Sequence, residues 1–351
     1  MDNFFSDKIV AEYLDNKIPR RSFVKTGLGV LSALALAPFT KITKSFASPA
    51  SFRRYGYVLQ VKNSRAVNNY KVNESVLREM MQEGMMRLTG KSSSVEAWKT
   101  FFSPNDVVAL KINPIAWMHK AVTHPALIYE TINKLKEAGI HDNNIIIWDR
   151  FEPHLKDMGL KINHSSRGVR VMGTEFRNGS PEFILDRSVY YKASPASPEL
   201  GDKSYYSGVM TKIATKVINM PVLKDHSHSG VTFCLKNLAF GVVNNTRRFH
   251  ALACDPMIAD VCSHAVVKSK VVLNIGDALI SIYEGGPFLY NRRNRWMEKS
   301  VFFGTDMVAM DSIGLNIIEK KRKEQGLPSL WTKRDKPVHL KTSFDSGIGE
   351  Y

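Results

Sequence analysis

The stretch that decides the fold is VVALKI at 107–112, followed by THPALIYETINKLKEAG at 123–139 and IIIWDR at 145–150. The first and last pieces are short apolar runs typical of buried strands. The middle piece has apolar residues at helical spacing between a threonine cap and a glycine stop. A helix between two buried strands predicts parallel pairing with a right-handed crossover. Asp149 and Arg150 follow the second strand, at the edge where open α/β sheets bind their ligands.

Strand and helix patterns continue to alternate along the chain. Further strands are predicted at 57–61, 216–220, 271–275 and 301–303, and further helices at 73–88, 231–243, 256–268 and 307–323. The Ser-, Pro-, Gly- and Tyr-rich residues 178–208 are predicted to form an insertion or a lid-like loop. The predicted fold class is therefore α/β, with a mainly parallel sheet and helices on both faces. The pattern also allows two lobes, 48–210 and 211–351.

The composition is that of a basic globular protein. Its 351 residues include 49 Lys+Arg against 33 Asp+Glu, and 44% are hydrophobic, which excludes disorder. Setting residues 1–47 aside leaves 42 basic and 29 acidic residues, so the excess persists. Such a surface favours anionic partners. Nucleic acid is not predicted, because no dense Lys/Arg run carries interleaved aromatic residues.

The three cysteines set a limit on cofactors. Cys234, Cys254 and Cys262 form no CxxC pair, which excludes a zinc knuckle. Three thiolates are also too few for an ordinary iron–sulfur cluster or for a disulfide framework.

The N-terminus has the features of a targeting signal. Residues 19–25 read PRRSFVK, an apolar stretch occupies 26–38, and small residues flank Phe46 at 45–47. This order is typical of a secretory signal, and the stretch is shorter than the roughly 20 residues that a membrane span needs. It resembles a twin-arginine (Tat) signal, although Pro19 and Val24 depart from that pattern. A cytosolic amphipathic helix is the alternative.

The signal interpretation divides the chain into a Tat signal peptide at 1–47 and a mature domain at 48–351. The Tat machinery is then an expected partner, and the mature protein is expected in the periplasm or elsewhere outside the cytoplasm. No transmembrane span is predicted in the mature chain.

The densest polar chemistry lies in MPVLKDHSHSGVTFCLKN at 220–237. Lys224, His226 and His228 alternate, so an extended backbone points them to one side. We predict that a helix begins near Ser229, where its free N–H groups favour an anion. Two imidazoles beside a lysine suit an anion or a metal with an anionic ligand. Loop histidines with ordinary hydrogen bonds are the alternative.

Other polar residues extend this set. Lys236 lies in an otherwise apolar helix and meets either an anion or, as the alternative, solvent. Asp277 follows a predicted strand, and Glu284 opens a Gly-rich turn that brings backbone close to a ligand. Both carboxylates are candidates to complete a metal shell. Asp306 precedes a helix and is either a site residue or its N-cap.

These residues and their spacing resemble the DUF362 family. The resemblance rests on VALKIN at 108–113, NMPVLKDH at 219–226, LKNL at 235–238, IGDA at 275–278 and EGGP at 284–287. Many relatives carry a ferredoxin-type cysteine tail, which this sequence lacks, so an iron–sulfur cluster is not expected. The family is named for having no assigned function, and the resemblance therefore implies a shared fold and a shared Lys-x-His and Lys-Asn pattern.

We predict an exported protein that acts on an anionic small molecule through a Lys/His site, as an enzyme or a cofactor protein. The cofactor is unknown, and a transition metal is one candidate. A non-catalytic periplasmic protein that binds an anion or a metal complex is the alternative, as is an accessory subunit of a redox complex. The predicted catalytic residues are Lys224, His226, Lys236 and Asn237; the predicted cofactor-binding residues are His228, His250, Asp277 and Glu284; the predicted metal ligands are His226 and His228.

Overall fold

The computed structural model describes residues 10–15, 52–175, 184–193 and 201–351. The predicted signal segment, 1–47, lies outside these residues except for one strand, β1 (Val10–Asp15), which pairs in parallel with 57–62.

The strands of the described residues follow in chain order. They are β1, β2 (Tyr57–Lys62), β3 (Val67–Asn68), β4 (Lys71–Val72), β5 (Val108–Ile112), β6 (Ile145–Phe151), β7 (Arg170–Glu175), β8 (Leu185–Lys192), β9 (Lys203–Ser207), β10 (Lys216–Met220), β11 (Val222–His226), β12 (Gly230–Thr232), β13 (Val271–Ile282), β14 (Arg295–Trp296) and β15 (Ser300–Gly304). The α-helices are α1 (Glu74–Thr89), α2 (Ser94–Lys99), α3 (Pro125–Glu137), α4 (Glu152–Asp157), α5 (Cys234–Val242), α6 (Met257–Ser263), α7 (Ala265–Lys270), α8 (Met307–Glu324) and α9 (His339–Asp345).

One large sheet organises the chain, in the order β1-β2-β15-β13-β10-β5-β6-β7. The run from β13 to β7 is parallel throughout, and β15 is antiparallel to both of its neighbours. The quoted stretch at 107–150 therefore forms β5, α3 and β6 with parallel pairing, as predicted. In this sheet β15, β13 and β10 from the second predicted lobe lie between β2 and β5 from the first, and the lobe boundary itself stays a prediction.

Helices cover both faces of the sheet, which confirms the predicted fold class. Along β5 and β6, alternate residues enter two separate apolar cores, and Leu110 and Ile147 face one while Ala109 and Ile146 face the other. Helices α1 to α3 supply the first core, and α5 to α8 supply the second. Met80, Met81 and Met85 of α1 are fully buried in the first core.

Pro221 divides what would otherwise be one strand into β10 and β11. Proline donates no ladder hydrogen bond, so the pairing with β13 is interrupted there. The Pro221 carbonyl instead accepts from Asp277 N at 2.8 Å. β13 consequently runs to Ile282, and the prediction that this strand ends before Asp277 is wrong. Within it, Gly276 leaves room for the Phe233 ring, which lies 2.2 Å from where a Cβ would be.

Three other predicted elements differ from the structure. The helix predicted at 231–243 begins only at Cys234, because 230–232 pairs with β11 as β12. The helix predicted at 256–268 is divided at His264, whose extended backbone ends α6 and caps α7. Within 178–208, most of the described residues form the antiparallel pair β8–β9, whereas the sequence predicted an insertion or a lid-like loop without strands.

The cap of α3 is also one residue later than predicted. His124 is the N-cap, and its Nδ1 accepts from Ala126 N at 3.2 Å. The Thr123 hydroxyl instead donates to the Met220 carbonyl at 2.6 Å and accepts from Asn113 N at 2.8 Å. Thr123 therefore connects the carboxyl ends of β5 and β10.

Candidate functional site

A cavity with a volume of about 210 Å³ opens at the carboxyl ends of β5 and β6 and against α5. We call it the basic cavity. Its polar lining is Lys111, Asn113, Asp149, Arg150, Thr232, His226, Lys236, Asn237, Thr246 and His250, and its larger apolar lining residues are Pro114, Ile115, Phe151, Phe240, Pro287 and Phe288. The position agrees with the rule that open α/β sheets bind ligands at the carboxyl ends of their strands.

Two of the three long cations at the cavity are neutralised by carboxylates. Lys111 Nζ lies 2.6 Å from Asp149 Oδ1, and both side chains are buried. Arg150 forms a two-point ion pair with Glu175 at 2.5 and 3.1 Å, and it donates to Thr246 Oγ1 at 2.6 Å. Each of these pairs is internally balanced and adds no net charge to the site.

Lys236 is different because it has no carboxylate partner among the described residues. It is only 4% exposed, and its Nζ lies 2.8 Å from the centroid of the Phe240 ring. The Cys254 thiol is hydrogen-bonded to its ammonium. Burial lowers the pKa of Lys236 to about 7, since water solvates an ammonium far better than a ring and a thiol do.

Two neutral imidazoles lie beside Lys236. The rings of His226 and His250 are parallel within 4°, with centroids 6.0 Å apart. Burial, reinforced by the positive charge of Lys236, lowers the pKa of His226 well below its usual value and that of His250 to about 4. Both rings are therefore uncharged at neutral pH. His226 Nδ1 accepts from the backbone N–H of His228 at 3.0 Å, which fixes the orientation of the ring.

Of the eight residues predicted for the site, the structure brings four together at the basic cavity. These are His226, Lys236, Asn237 and His250. Both ends of the Asn237 amide contact the protein, since it accepts from Lys111 Nζ at 3.4 Å and donates to Asn219 Oδ1 at 2.8 Å. Asn237 therefore helps to position Lys111.

Lys224 lies just behind the cavity wall. Its ammonium donates to Asn113 Oδ1 at 3.1 Å and to the Ile115 carbonyl at 2.6 Å, and these two residues line the cavity. Burial lowers its pKa to about 7 against the opposing effect of Asp277. Lys224 therefore contacts two residues of the cavity wall, Asn113 and Ile115. Its predicted contact with a ligand stays a prediction.

The other predicted residues lie elsewhere. The His228 side chain is 49% exposed and contacts Asp335 at 3.2 Å. Asp277 accepts from His124 N and Leu279 N, at 2.8 and 2.9 Å. Glu284 pairs with Arg322 and Lys333, and so fixes the Gly-rich turn that carries Pro287 and Phe288.

The prediction that a helix begins near Ser229 and binds an anion with its free N–H groups is wrong. α5 begins at Cys234, and the Asp311 carboxylate already accepts from Cys234 N at 2.5 Å and from Leu235 N at 3.1 Å. The chain thus supplies a buried carboxyl group to this helix terminus, and burial raises the pKa of that group to about 8. Asp306 accepts from Ala309 N at 3.0 Å, which confirms the N-cap interpretation of that residue.

A metal centre receives no support from the side chains present. The described residues contain no group of three or more His, Cys, Asp or Glu side chains placed to hold a metal ion. The rings of His226 and His228 are 6.1 Å apart, and one nitrogen of His226 is already hydrogen-bonded. No step is therefore assigned to a metal, and the metal role of these histidines stays a prediction.

Lys111 is one of the cavity residues that the sequence did not single out. Its signal was a lysine inside the otherwise apolar strand VVALKI, where an unpaired charge would be costly. Gly241 leaves the room that its side chain needs, because a Cβ there would lie 1.8 Å from Lys111 Cε. No feature of the sequence indicated that Phe151, Phe240 and Phe288 would line the cavity.

Fold and cavity together define an α/β protein with helices on both sheet faces and a small, buried, basic site at the strand ends. The chain belongs to the DUF362 family, described as a domain of unknown function, whose sequence pattern matches residues 108–316. No match was found among curated proteins. Among the described helices, none has both the length and the apolar character to cross a membrane.

A crystal structure of a protein from Thermotoga maritima is similar to this chain at 12% sequence identity, with a TM-score of 0.40. The similarity covers 73% of this chain and 60% of the other.

Proposed function

We propose that this DUF362 protein is exported and acts as an enzyme on a small anionic ligand held in the basic cavity. The observation that carries the proposal is the buried ammonium of Lys236, which faces the cavity without a carboxylate partner in the described part of the chain. An unpaired buried charge is unfavourable, and an anionic ligand would relieve that cost. The cavity volume, below the about 300–1,000 Å³ usual for drug-sized ligands, suits a small metabolite.

Acid–base chemistry is the reaction type that these groups support. A lysine with a pKa of about 7 exchanges a proton readily near neutral pH, which is the condition for efficient general acid–base catalysis. The neutral imidazole of His226 lines the same cavity, and because its Nδ1 accepts from His228 N, its Nε2 carries the hydrogen and can donate. Lys236 would bind the anion and exchange a proton with it, and His226 would donate a hydrogen bond to it.

Export is part of the same proposal and rests on the N-terminal sequence alone. The PRRSFVK segment and the short apolar stretch after it support a Tat signal and a periplasmic or other extracytoplasmic location.

Nuclear magnetic resonance in D₂O tests binding and proton transfer in one sample. The protein is incubated with a mixture of small organic acids. Saturation transfer identifies the acids that bind, and the loss of a C–H signal identifies one whose proton is exchanged. We expect at least one acid to do both with the wild type and neither with Lys236→Met. Lys336→Met, at an exposed lysine, is the matched control and should behave as the wild type.

Each alternative result has a definite meaning. Binding without any exchange of a C–H proton would show that the protein binds the anion without acting on it as an enzyme. Identical spectra for the wild type and Lys236→Met would contradict the proposed site. Elemental analysis of the wild type and of the double variant His226→Ala/His228→Ala would show whether the metal content of the protein depends on the two imidazoles.

A further inference from the structure

The basic cavity carries a single uncompensated positive charge. Its two ion pairs, Lys111–Asp149 and Arg150–Glu175, are each neutral as a unit. The imidazoles of His226 and His250 are uncharged at neutral pH. Among the described residues of the lining, Lys236 is then the one cation left to be matched by a ligand.

Beside its neutral polar residues the lining has an apolar part, and half of the larger apolar residues are aromatic. Phe240 lies directly against the Lys236 ammonium, and Phe151 lies under the Arg150 guanidinium with 4.6 Å between the carbon centre and the ring centroid. Phe288, on the Gly-rich turn, is 56% exposed and belongs to the same cavity wall. Such a lining favours apolar ligand groups, because their burial releases water from aromatic surface.

Asp225 holds this turn against the cavity. Its carboxylate accepts from Gly285 N at 3.1 Å and from Gly286 N at 2.8 Å. The Glu284 ion pairs with Arg322 and Lys333 hold the other side of the turn. Phe288 is therefore carried by a turn that is fixed on both sides.

We propose that the ligand of the basic cavity is a small monocarboxylate with an aromatic or branched apolar group. Lys236 binds its carboxylate, and Phe240, Phe151 and Phe288 contact its apolar group. This proposal rests on the proposed function, since it names the class of the anion that the cavity binds.

Anions of higher charge fit this cavity poorly. A dicarboxylate or a phosphate dianion would bring a second negative charge into a buried site that offers one unmatched cation, and the excess charge would lack a partner. A neutral amide would leave the Lys236 charge unmatched.

Isothermal titration calorimetry at about pH 6, where Lys236 is protonated, tests the proposal with four probes of defined charge. They are benzoate, its neutral analogue benzamide, succinate, which tests the second negative charge, and inorganic phosphate, which is mainly a monoanion at this pH and tests the need for an apolar group. We expect benzoate to bind the wild type at least about tenfold more tightly than each of the other three. Lys236→Met should weaken benzoate binding by about tenfold or more, while Lys336→Met should leave it unchanged.

A second variant tests the apolar half independently. Phe288→Ala changes a half-exposed residue and should fold normally. It should weaken benzoate binding several-fold and leave the binding of acetate, which has no large apolar group, unchanged. Equal losses for the two acids, or no loss for benzoate, would contradict the contact with Phe288.

The outcomes separate this inference from the proposed function. If succinate or phosphate binds more tightly than benzoate and Lys236→Met abolishes that binding, the anion site stands and the monocarboxylate class is wrong. If no probe binds, or if Lys236→Met binds benzoate as the wild type does, both the class and the anion site are wrong.

Discussion

Lys236 couples ligand binding to pH. Its pKa is lowered by burial from 10.5 to about 7, and the ammonium is the form that binds an anion. Benzoate affinity should therefore be constant below pH 7 and fall above it, approaching tenfold per pH unit as the free site loses its proton. Calorimetry between about pH 5.5 and 9 measures this dependence.

Lys224 is the group that could imitate this effect, because its pKa is also about 7. The two are separated by Lys236→Met, whose residual binding should no longer change with pH. Flat wild-type affinity up to pH 9 would show that Lys236 is not the group that binds the anion.

Removal of the Lys236 charge should also stabilise the folded chain. The folded pKa of about 7 lies below the unfolded value, so the unfolded state binds more protons. The destabilisation is complete below pH 7 and disappears as pH rises through the unfolded pKa near 10.5. At about pH 6, Lys236→Met should raise the free energy of unfolding in urea by about 1 kcal/mol or more. A lower value than that of the wild type would contradict an unpaired buried charge.

The pairing of β5 with β6 determines where the Lys111–Asp149 ion pair lies. Register places Lys111 opposite Trp148, one residue before Asp149, at the carboxyl ends of both strands. Lys111→Met leaves a buried carboxylate unpaired and should cost about 3–5 kcal/mol of stability. Lys111→Met/Asp149→Leu removes both charges and should cost less than either single change.

Urea denaturation of the four proteins in this cycle gives the coupling between the two residues. Strictly additive losses would show that Lys111 and Asp149 do not interact. The exposed pair Lys136–Asp142 provides a control cycle, whose coupling should be no more than about 1 kcal/mol.

Helix α5 depends on a residue far away in sequence. Asp311 on α8 accepts from the first two N–H groups of α5, and it is fully buried. Asp311→Ala leaves both amides unsatisfied and should lower the free energy of unfolding by about 1–3 kcal/mol. Because α5 carries Lys236, benzoate binding should weaken as well. Asp157→Ala, at an exposed helix position, should change stability by no more than about 0.5 kcal/mol.

The position of α5 also shows where sequence reasoning fails for an element. Residues 231–243 have an apolar pattern suited to a helix, yet Val231 and Thr232 pair with β11 instead. Both are β-branched, and their strand partner lies only a few residues away across the turn at 227–229. The hairpin gives the backbone of residues 230–232 hydrogen-bond partners in β11. A helix that began at residue 231 would have its first N–H groups away from the Asp311 carboxyl that caps α5.

At the scale of the whole molecule, the prediction concerns export. Replacement of Arg20 and Arg21 by lysine should retain the protein in the cytoplasm of a bacterial host with an active Tat pathway. The physical reason is that the pathway recognises the paired guanidinium groups, which lysine does not reproduce. Cell fractionation and immunoblotting measure the distribution, and Lys17→Arg is the control. Unchanged export of the double variant would contradict the Tat assignment.

The sequence by itself determined the α/β class, the β5–α3–β6 unit and the sheet edge near Asp149 at which the cavity opens. These follow from local patterns of apolar residues, which are readable wherever both faces of a strand are buried. It also indicated Lys236 and Asn237, because polar groups are rare in an otherwise apolar helix, and His226 and His250, which belong to the basic polar set around Lys224.

Only the tertiary structure decided which charges are balanced. Lys111 is matched by Asp149, Arg150 by Glu175, and Glu284 by Arg322 and Lys333, whereas the described residues offer Lys236 no carboxylate. Such pairs join residues 25 to 49 positions apart. A local pattern contains no information on partners at that separation, because the partners meet only when the sheet and its covering helices assemble.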